Sequence, residues 1–344
     1  MRIIGHRDVA RILADRDTEI MSLVRDAYLS HDKGESALPH STFVRFDGNP
    51  RDRIIALPGY LGGPAPAAGI KWIASFPANL GLGLPRANAV VILNSLRTGQ
   101  PTAILEGSVI SAKRTAASAA LATVTLRAGR GLPRLAMIGC GVIAREILGF
   151  LALGPHPATV RLYDKQPERA QALARHGRQL FPGADIEVAG DDRAAVAGCD
   201  VVCFATTATA PHFDAGACRA GALILHVSLR DLTPDSILAC HNIVDDPDHV
   251  CRESTSVHLA EQRAGHRRFI DASIGQVLAD PAVFRPEDGK VVVYSPFGLG
   301  ILDLALARFA AEAAERDGLG VSIDDFLPLP ATSDDHDEGV SHGG

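Results

Sequence analysis

Between residues 134 and 229, short apolar runs rich in β-branched side chains alternate with helical stretches, the rhythm of a parallel sheet covered on both faces. The runs are RLAMIG (134–139), TVRLYD (159–164), DIEVAG (185–190), VVCFAT (201–206) and ALILHVSL (222–229). VIAREILGFLALG and PERAQALARHGRQLF, which follow the first two, carry apolar positions at helical spacing, and Pro167 falls where a first helical turn tolerates it. NIVDD (242–246) and KVVVYS (290–295) extend the sheet. The pattern predicts a doubly wound α/β domain.

The first 115 residues lack this rhythm. DTEIMSLVRDAYLSHD reads as an amphipathic helix, and FVRF, DRIIALPGYL, AGIKWIASF and AVVILNS read as strands broken by Gly and Pro. ILDLALARFAAEAAERDG, after Gly300, is a second amphipathic helix that cannot bury its apolar face alone. It is expected to fold back on the N-terminal part. The chain then divides into a discontinuous α+β domain (1–117 with 300–330), a doubly wound domain (118–299) and a disordered polar tail (331–344).

Gly139-Cys140-Gly141-Val142-Ile143-Ala144 fits G-x-G-x-x-A directly after a strand and directly before a helix. Gly139 permits the tight turn, Gly141 lets a pyrophosphate approach the backbone, and Ala144 allows close helix–strand packing. Asp164 ends the next strand 25 residues after Gly139, where a carboxylate takes hydrogen bonds from ribose hydroxyls and repels a 2′-phosphate. The domain is therefore expected to be a Rossmann domain preferring NAD over NADP, with Lys165 and Arg169 the nearby cations. Thr206 and Thr207 close the fourth strand at the ligand-binding edge.

Bulk properties narrow the classes. A net charge of −6 over 344 residues offers no basic field for nucleic acid. The six cysteines form no CxxC pair and no zinc spacing, so they read as reduced packing thiols with no metal. No run is long and apolar enough to span a membrane, and the charged N-terminus does not resemble an export signal, so the expected location is the cytoplasm.

On the substrate side, Lys71 lies in an otherwise apolar strand, where it either snorkels outward or faces a site. Arg114 lies in a small-residue helix, as a surface arginine or as a fork for a carboxylate. Asp231 follows the fifth strand and reads as an acid/base or as a loop or capping residue.

Lys71 in GIKW, Arg114–Ala117 in KRTAA, the IGCGVIA turn, Asp164 in LYD, Asp231 after VSL and the block Phe297–Asp303 together resemble the ornithine cyclodeaminase/μ-crystallin family, from about residue 3 to 328. The resemblance implies that Arg45, Lys71 and Arg114 bind a substrate carboxylate and that Asp231 is the acid/base handling water. It places Arg114, Thr115, Leu225 to Ser228 (with Val227), Phe297 and Gly298 along the cofactor. Arg86 stands near cofactor or substrate where many members have Thr.

DRIIALPGYLGG, PRANAVVILN, EGSVISAKRTAA, VDDPDHVCRES and SIGQVLAD most resemble the branch acting on N-(2-amino-2-carboxyethyl)-L-glutamate. That branch oxidises the glutamyl α-carbon with NAD and hydrolyses the imine to L-2,3-diaminopropionate and 2-oxoglutarate, for siderophore or antibiotic synthesis. Arg45, Arg53 and Arg86 suit its carboxylates; Arg252, Glu253 and His258 are further cleft candidates. Ornithine cyclodeamination, imine reduction of the ketimine reductase or alanine dehydrogenase kind, and a non-enzymatic μ-crystallin-like NAD(P)H-binding role are the alternatives. The resemblance also implies a homodimer built through the N-terminal domain.

Overall fold

The computed structural model describes residues 1–127 and 129–328; the expected tail at 331–344 lies outside them. The N-terminal strands are β1 (Arg2–Ile4), β2 (Ser36–Ala37), β3 (Thr42–Phe46), β4 (Asn49–Leu61), β5 (Ala67–Ser75), β6 (Ala87–Asn94) and β7 (Pro101–Glu106). They are followed by β8 (Arg134–Ile138), β9 (Thr159–Tyr163), β10 (Asp185–Val188), β11 (Val201–Phe204), β12 (Leu223–His226), β13 (His241–Val244), β14 (Ala272–Ser273), β15 (Val292–Ser295) and β16 (Val321–Ser322). The helices are α1 (His6–Leu13), α2 (Asp17–Asp32), α3 (Ser108–Arg127), α4 (Val142–Leu151), α5 (Pro167–Leu180), α6 (Asp192–Val196), α7 (Pro234–Ala239), α8 (Pro247–Val250), α9 (Ser256–Ala264), α10 (Ile274–Ala279) and α11 (Gly300–Arg316).

Two sheets result. The first runs β16-β1-β7-β6-β5-β4-β2, with β3 also paired to β4; the second runs β10-β9-β8-β11-β12-β15-β13-β14 with every pair parallel. The second is the doubly wound sheet that the alternating runs predict. Its strands end earlier than the apolar runs do, which leaves Gly139, Asp164 and Thr206 on the loops at the carboxyl edge. α3 crosses position 117 without a break, so the two sheets share a helix there.

Strand alternation gives the first sheet two unlike faces. On the inner face Leu105, Val91, Lys71 and Leu57 stand opposite one another across four strands, all buried. On the outer face Ile3, Ile104, Ile92, Ile70 and Pro58 form a continuous apolar row. A second outer row joins Val90, Trp72 and Ala56, with Trp72 42% exposed.

α11 covers the inner face, touching β4, β5, β6 and β7 as well as α2 and α3. It thus folds back as its apolar stripe requires. The two sheets are also joined by hydroxyls. Tyr28 on α2, Ser118 on α3 and Tyr294 on β15 form a buried triangle with sides of 2.8, 2.9 and 3.1 Å. Each hydroxyl has a partner there, so none is left orphaned in the core.

Candidate active site

In the second sheet the strand order reverses where β8 and β11 lie side by side. Such a point opens the crevice in which doubly wound sheets bind ligands. Gly139 sits there with φ +87°, and a Cβ on it would stand 2.5 Å from the Ala205 carbonyl oxygen, so only glycine fits. Its N–H donates to Tyr163 O at 2.8 Å. A Cβ on Gly141, just before α4, would meet nothing within 4 Å; beside it Val142 is 70% exposed, Ile143 is half-buried and Ala144 is buried. Unhindered backbone at a helix start flanked by an open apolar side chain is a cradle for a pyrophosphate.

The Asp164 carboxylate is fixed beside the turn, accepting from Cys140 N at 2.8 Å and Gln166 N at 2.9 Å. The residues present therefore fit a dinucleotide with free ribose hydroxyls. Lys165 is exposed next to Asp164. Burial, with Asp164 adding to it, pushes the Cys140 thiol up to about 12, so it stays protonated and chemically quiet.

Asp231 is fully buried, which changes its expected placement: the carboxylate does not line the cleft itself. Thr206 Oγ1 donates to Oδ1, Ser228 Oγ donates to Oδ2 at 2.5 Å, and the Asp231 N–H donates to His226 Nε2 at 3.1 Å. His226 Nδ1 in turn meets Ser295 Oγ at 3.2 Å. Burial acts to raise the Asp231 pKa, but His226 and the two hydroxyls outweigh it and hold the carboxyl below its ordinary value. Leu229, in the turn that carries this group, has φ +67°, a strained conformation for a leucine. Val227 and Ser228 are half-buried in the same turn, and Thr207 is exposed.

Lys71 does not snorkel. The side chain is 3% exposed, and its Nζ donates to Asp303 Oδ2 at 2.6 Å and to Ser111 Oγ at 3.4 Å. Arg114 Nε reaches the same carboxylate at 3.3 Å, and Asp303 has no exposed surface. One carboxylate from α11 thus holds two cations, from β5 and α3, and the cluster keeps a surplus positive charge. Burial lowers the Lys71 pKa to about 8, opposed by Asp303 and assisted by Arg114. Gly298 has φ +94°, and a Cβ there would lie 2.6 Å from Arg114 Nη1, so its bareness gives the guanidinium room. Gly298 N and Phe297 N are tied to the buried Asp245 carboxylate at 2.6 and 2.9 Å. Thr115 Oγ1 bonds back to Ser111 O within its helix at 2.7 Å.

Further arginines share this face. Arg45 and Arg53 are directly paired across β3 and β4, and Arg53 faces Ser75 on β5, four residues beyond Lys71. At about 3.3 Å per strand residue they lie about 13 Å further along the sheet. Arg45 stacks 5.2 Å over Phe43 and donates to Glu253. Arg86 is half-buried just before β6. Arg252 is half-buried, whereas His258 serves its own loop, its Nδ1 accepting from Ser254 N at 3.2 Å.

The motifs gave Asp303 and Asp245 a place in matching blocks but no chemical part, His226 only a place along the cofactor, and Arg230 nothing. Asp303 did leave a signal, a lone carboxylate inside the apolar stretch GILDLAL, where an unpaired charge is not tolerated. Asp245 and His226 act through contacts between strands far apart in sequence. A groove of about 480 Å³ beside Arg2, Asn94, Arg308 and Glu312 holds none of the groups described above.

A dinucleotide cradle on a doubly wound sheet, beside a second sheet lined with cations, fits a nucleotide-dependent oxidoreductase. The family model described as "Ornithine cyclodeaminase/mu-crystallin family" matches residues 9–318, and the chain belongs to that family. N-((2S)-2-amino-2-carboxyethyl)-L-glutamate dehydrogenase of Staphylococcus aureus is 27% identical over 94% of this chain and 98% of its own. The alanine dehydrogenase of Archaeoglobus fulgidus is 26% identical over 90% of this chain and 94% of its own. The structure of Thermococcus litoralis Δ1-pyrroline-2-carboxylate reductase in complex with NADH and L-proline superposes with a TM-score of 0.86 at 26% identity, covering 94% of this chain and all of that one.

The Lys71 ammonium is present below about pH 8 and lost above it, and Asp303 is what holds it against burial. In Asp303→Asn the basic limb of the kcat/KM profile for NADH formation is expected to move to lower pH. Urea unfolding should show a loss of about 3–5 kcal/mol, the usual result of removing one partner of a buried pair. An unmoved basic limb would show that Lys71 does not set it.

Proposed function

We propose that this chain catalyses NAD-dependent oxidative hydrolysis of N-(2-amino-2-carboxyethyl)-L-glutamate to L-2,3-diaminopropionate and 2-oxoglutarate, supplying siderophore or antibiotic synthesis. It is an NAD-dependent oxidoreductase of amino-acid C–N bonds, as its family membership and its cradle at Gly139–Ile143 with Asp164 indicate. The observation that carries the substrate assignment is the presence of two cationic stations on one sheet face, Lys71 with Arg114 and, further along, Arg45 with Arg53. A substrate with several carboxylates matches both. Ornithine would bring an amine to the second station, where the carboxylate seen, Glu253, is already paired with Arg45. The 27% likeness to the Staphylococcus aureus enzyme supports the same assignment.

NAD, when bound, supplies the hydride acceptor for the substrate α-carbon. Arg114 and Lys71 hold the adjacent carboxylate, and their surplus positive charge favours the uncharged amine that must lose its hydrogen. With a pKa near 8, Lys71 is well matched to carry a proton at neutral pH. Asp231, held low, is a weak base; it supplies fixed charge and, by taking the Ser228 and Thr206 O–H bonds, leaves those oxygens to accept from the water that attacks the imine. Imine, water and two products balance: the C–N bond breaks after water adds, the nitrogen leaves with diaminopropionate, and the carbonyl oxygen of 2-oxoglutarate comes from water.

Incubation of the purified protein with NAD and N-(2-amino-2-carboxyethyl)-L-glutamate should give NADH, diaminopropionate and 2-oxoglutarate in equal amounts by absorbance and mass detection. Proline and ammonia from ornithine, without net NADH, would replace this reading with cyclodeamination.

We further propose a homodimer through the outer face of the first sheet, whose adjoining rows Ile3-Ile104-Ile92-Ile70 and Val90-Trp72-Ala56 are apolar, with Ile3, Val90 and Trp72 exposed. Trp72→Glu should convert a dimer to a monomer in light scattering; a monomeric parent protein would contradict the interface.

A further inference from the structure

Arg45 and Arg53 stand directly opposite each other on antiparallel strands, where like charges repel. Arg86 and, from the turn before Asp231, Arg230 are half-buried nearby. Among the described residues the buried Nε atoms of Arg53 and Arg86 have no hydrogen-bond partner. Burial lowers the pKa of Arg53, Arg86 and Arg230, and each is lowered further by at least one of the neighbouring arginines Arg45 and Arg53. Four guanidiniums gathered in this way want more negative charge than they have.

The carboxylate that bonds there belongs to Glu253, which takes a bond from Arg45 Nη2 while its carbonyl accepts from Arg230 Nη2 at 2.7 Å. Glu253 comes from the loop after α8 on the Rossmann side, and Arg45 comes from the first sheet, so the pair bridges the cleft. The loop is held in an unusual conformation to do this: Glu253 and Ser254 have φ +56° and +53°, two consecutive left-handed residues that are not glycine. The Arg45 side chain is 52% exposed, so the pair is screened and easily exchanged.

We infer that Glu253 is a resident stand-in for a substrate carboxylate: paired with Arg45, it supplies the negative charge of the cluster of Arg45, Arg53, Arg86 and Arg230 and is displaced when the distal carboxylate of a dicarboxylate amino-acid substrate arrives. The inference rests on the cleft taking a multi-carboxylate substrate, as proposed above. It makes Glu253 a specificity residue through competition. Ligands with one carboxylate leave it in place, whereas ligands with two must expel it and gain the cluster in return.

The test is calorimetric binding of 2-oxoglutarate and of pyruvate to the NADH-loaded protein at low ionic strength, in the parent chain, Glu253→Gln and Arg53→Gln. Glu253→Gln is expected to tighten 2-oxoglutarate about threefold to fivefold, the size expected from releasing a half-exposed pair, and to leave pyruvate unchanged. Arg53→Gln should weaken 2-oxoglutarate selectively. Weaker or unchanged 2-oxoglutarate binding in Glu253→Gln, or an equal gain for pyruvate, would overturn the inference. Because binding is read without turnover, this result stands apart from the product assay. The selective gain together with no oxidation of N-(2-amino-2-carboxyethyl)-L-glutamate would sink the substrate assignment and keep the displaced carboxylate.

Discussion

Asp303 has no access to water, yet it carries a charge, and the cleft is organised around how that charge is met. A buried carboxylate is tolerated only when paired and hydrogen-bonded. Here the partners come from two further segments, Lys71 from the middle of a sheet and Arg114 from α3, the helix that both sheets share. The pairing pins α11 to the inner face of the first sheet and turns two long cations inward, where apolar neighbours such as Val91 and Leu57 offer them no alternative. Two positive charges on one negative leave a site that favours anions. Stability alone does not call for such a cluster, since well-packed hydrocarbon of similar volume often serves a fold as well as a buried ion pair.

The opposite wall follows a different principle, backbone geometry. Gly139 exists because the Ala205 carbonyl lies where a side chain would start, and Gly298 because Arg114 lies where its side chain would start. One glycine opens the nucleotide crevice and the other seats the cation that faces it. Asp245, just after β13, ties down the Phe297–Gly298 backbone that follows the neighbouring β15, so this wall holds its own turn in place. On the proposed function, the cofactor would lie against this wall and the substrate carboxylate against the Lys71–Arg114 cluster, where Gly298 and Arg114 touch.

Much of this was legible in the chain. The alternation of apolar runs and helical stretches marked the parallel sheet, and the glycine turn with Asp164 marked its binding edge, because both signals are local. β1, β2, β7, β14 and β16 were not foreseen: four of them have two or three residues, too few for a period to declare itself, and PTAILE was overshadowed by its neighbours. The substrate wall was legible only in part. Lys71 and Arg114 stood out as charges among small or apolar residues, but their common partner lies 232 and 189 residues away, a distance no pattern bridges. Asp231 was placed at the right edge, whereas its burial under Thr206, Ser228 and His226 depends on the strained turn at Leu229. Arg230 had no signal at all, since its meaning comes from Glu253 across the loop.

The central claim is that the Lys71 ammonium, held between Asp303 and Arg114, faces the substrate carboxylate. The direct measurement is an NMR titration of the protein labelled with 13C at the lysine ε-carbons, with Lys71→Arg used to assign the resonance. The account predicts a midpoint near pH 8 for Lys71 in the free protein, moving upward when NADH and 2-oxoglutarate saturate the cleft, because a bound carboxylate favours the charged form. A midpoint near the ordinary lysine value, or one indifferent to 2-oxoglutarate, would place Lys71 outside the substrate site and contradict the account.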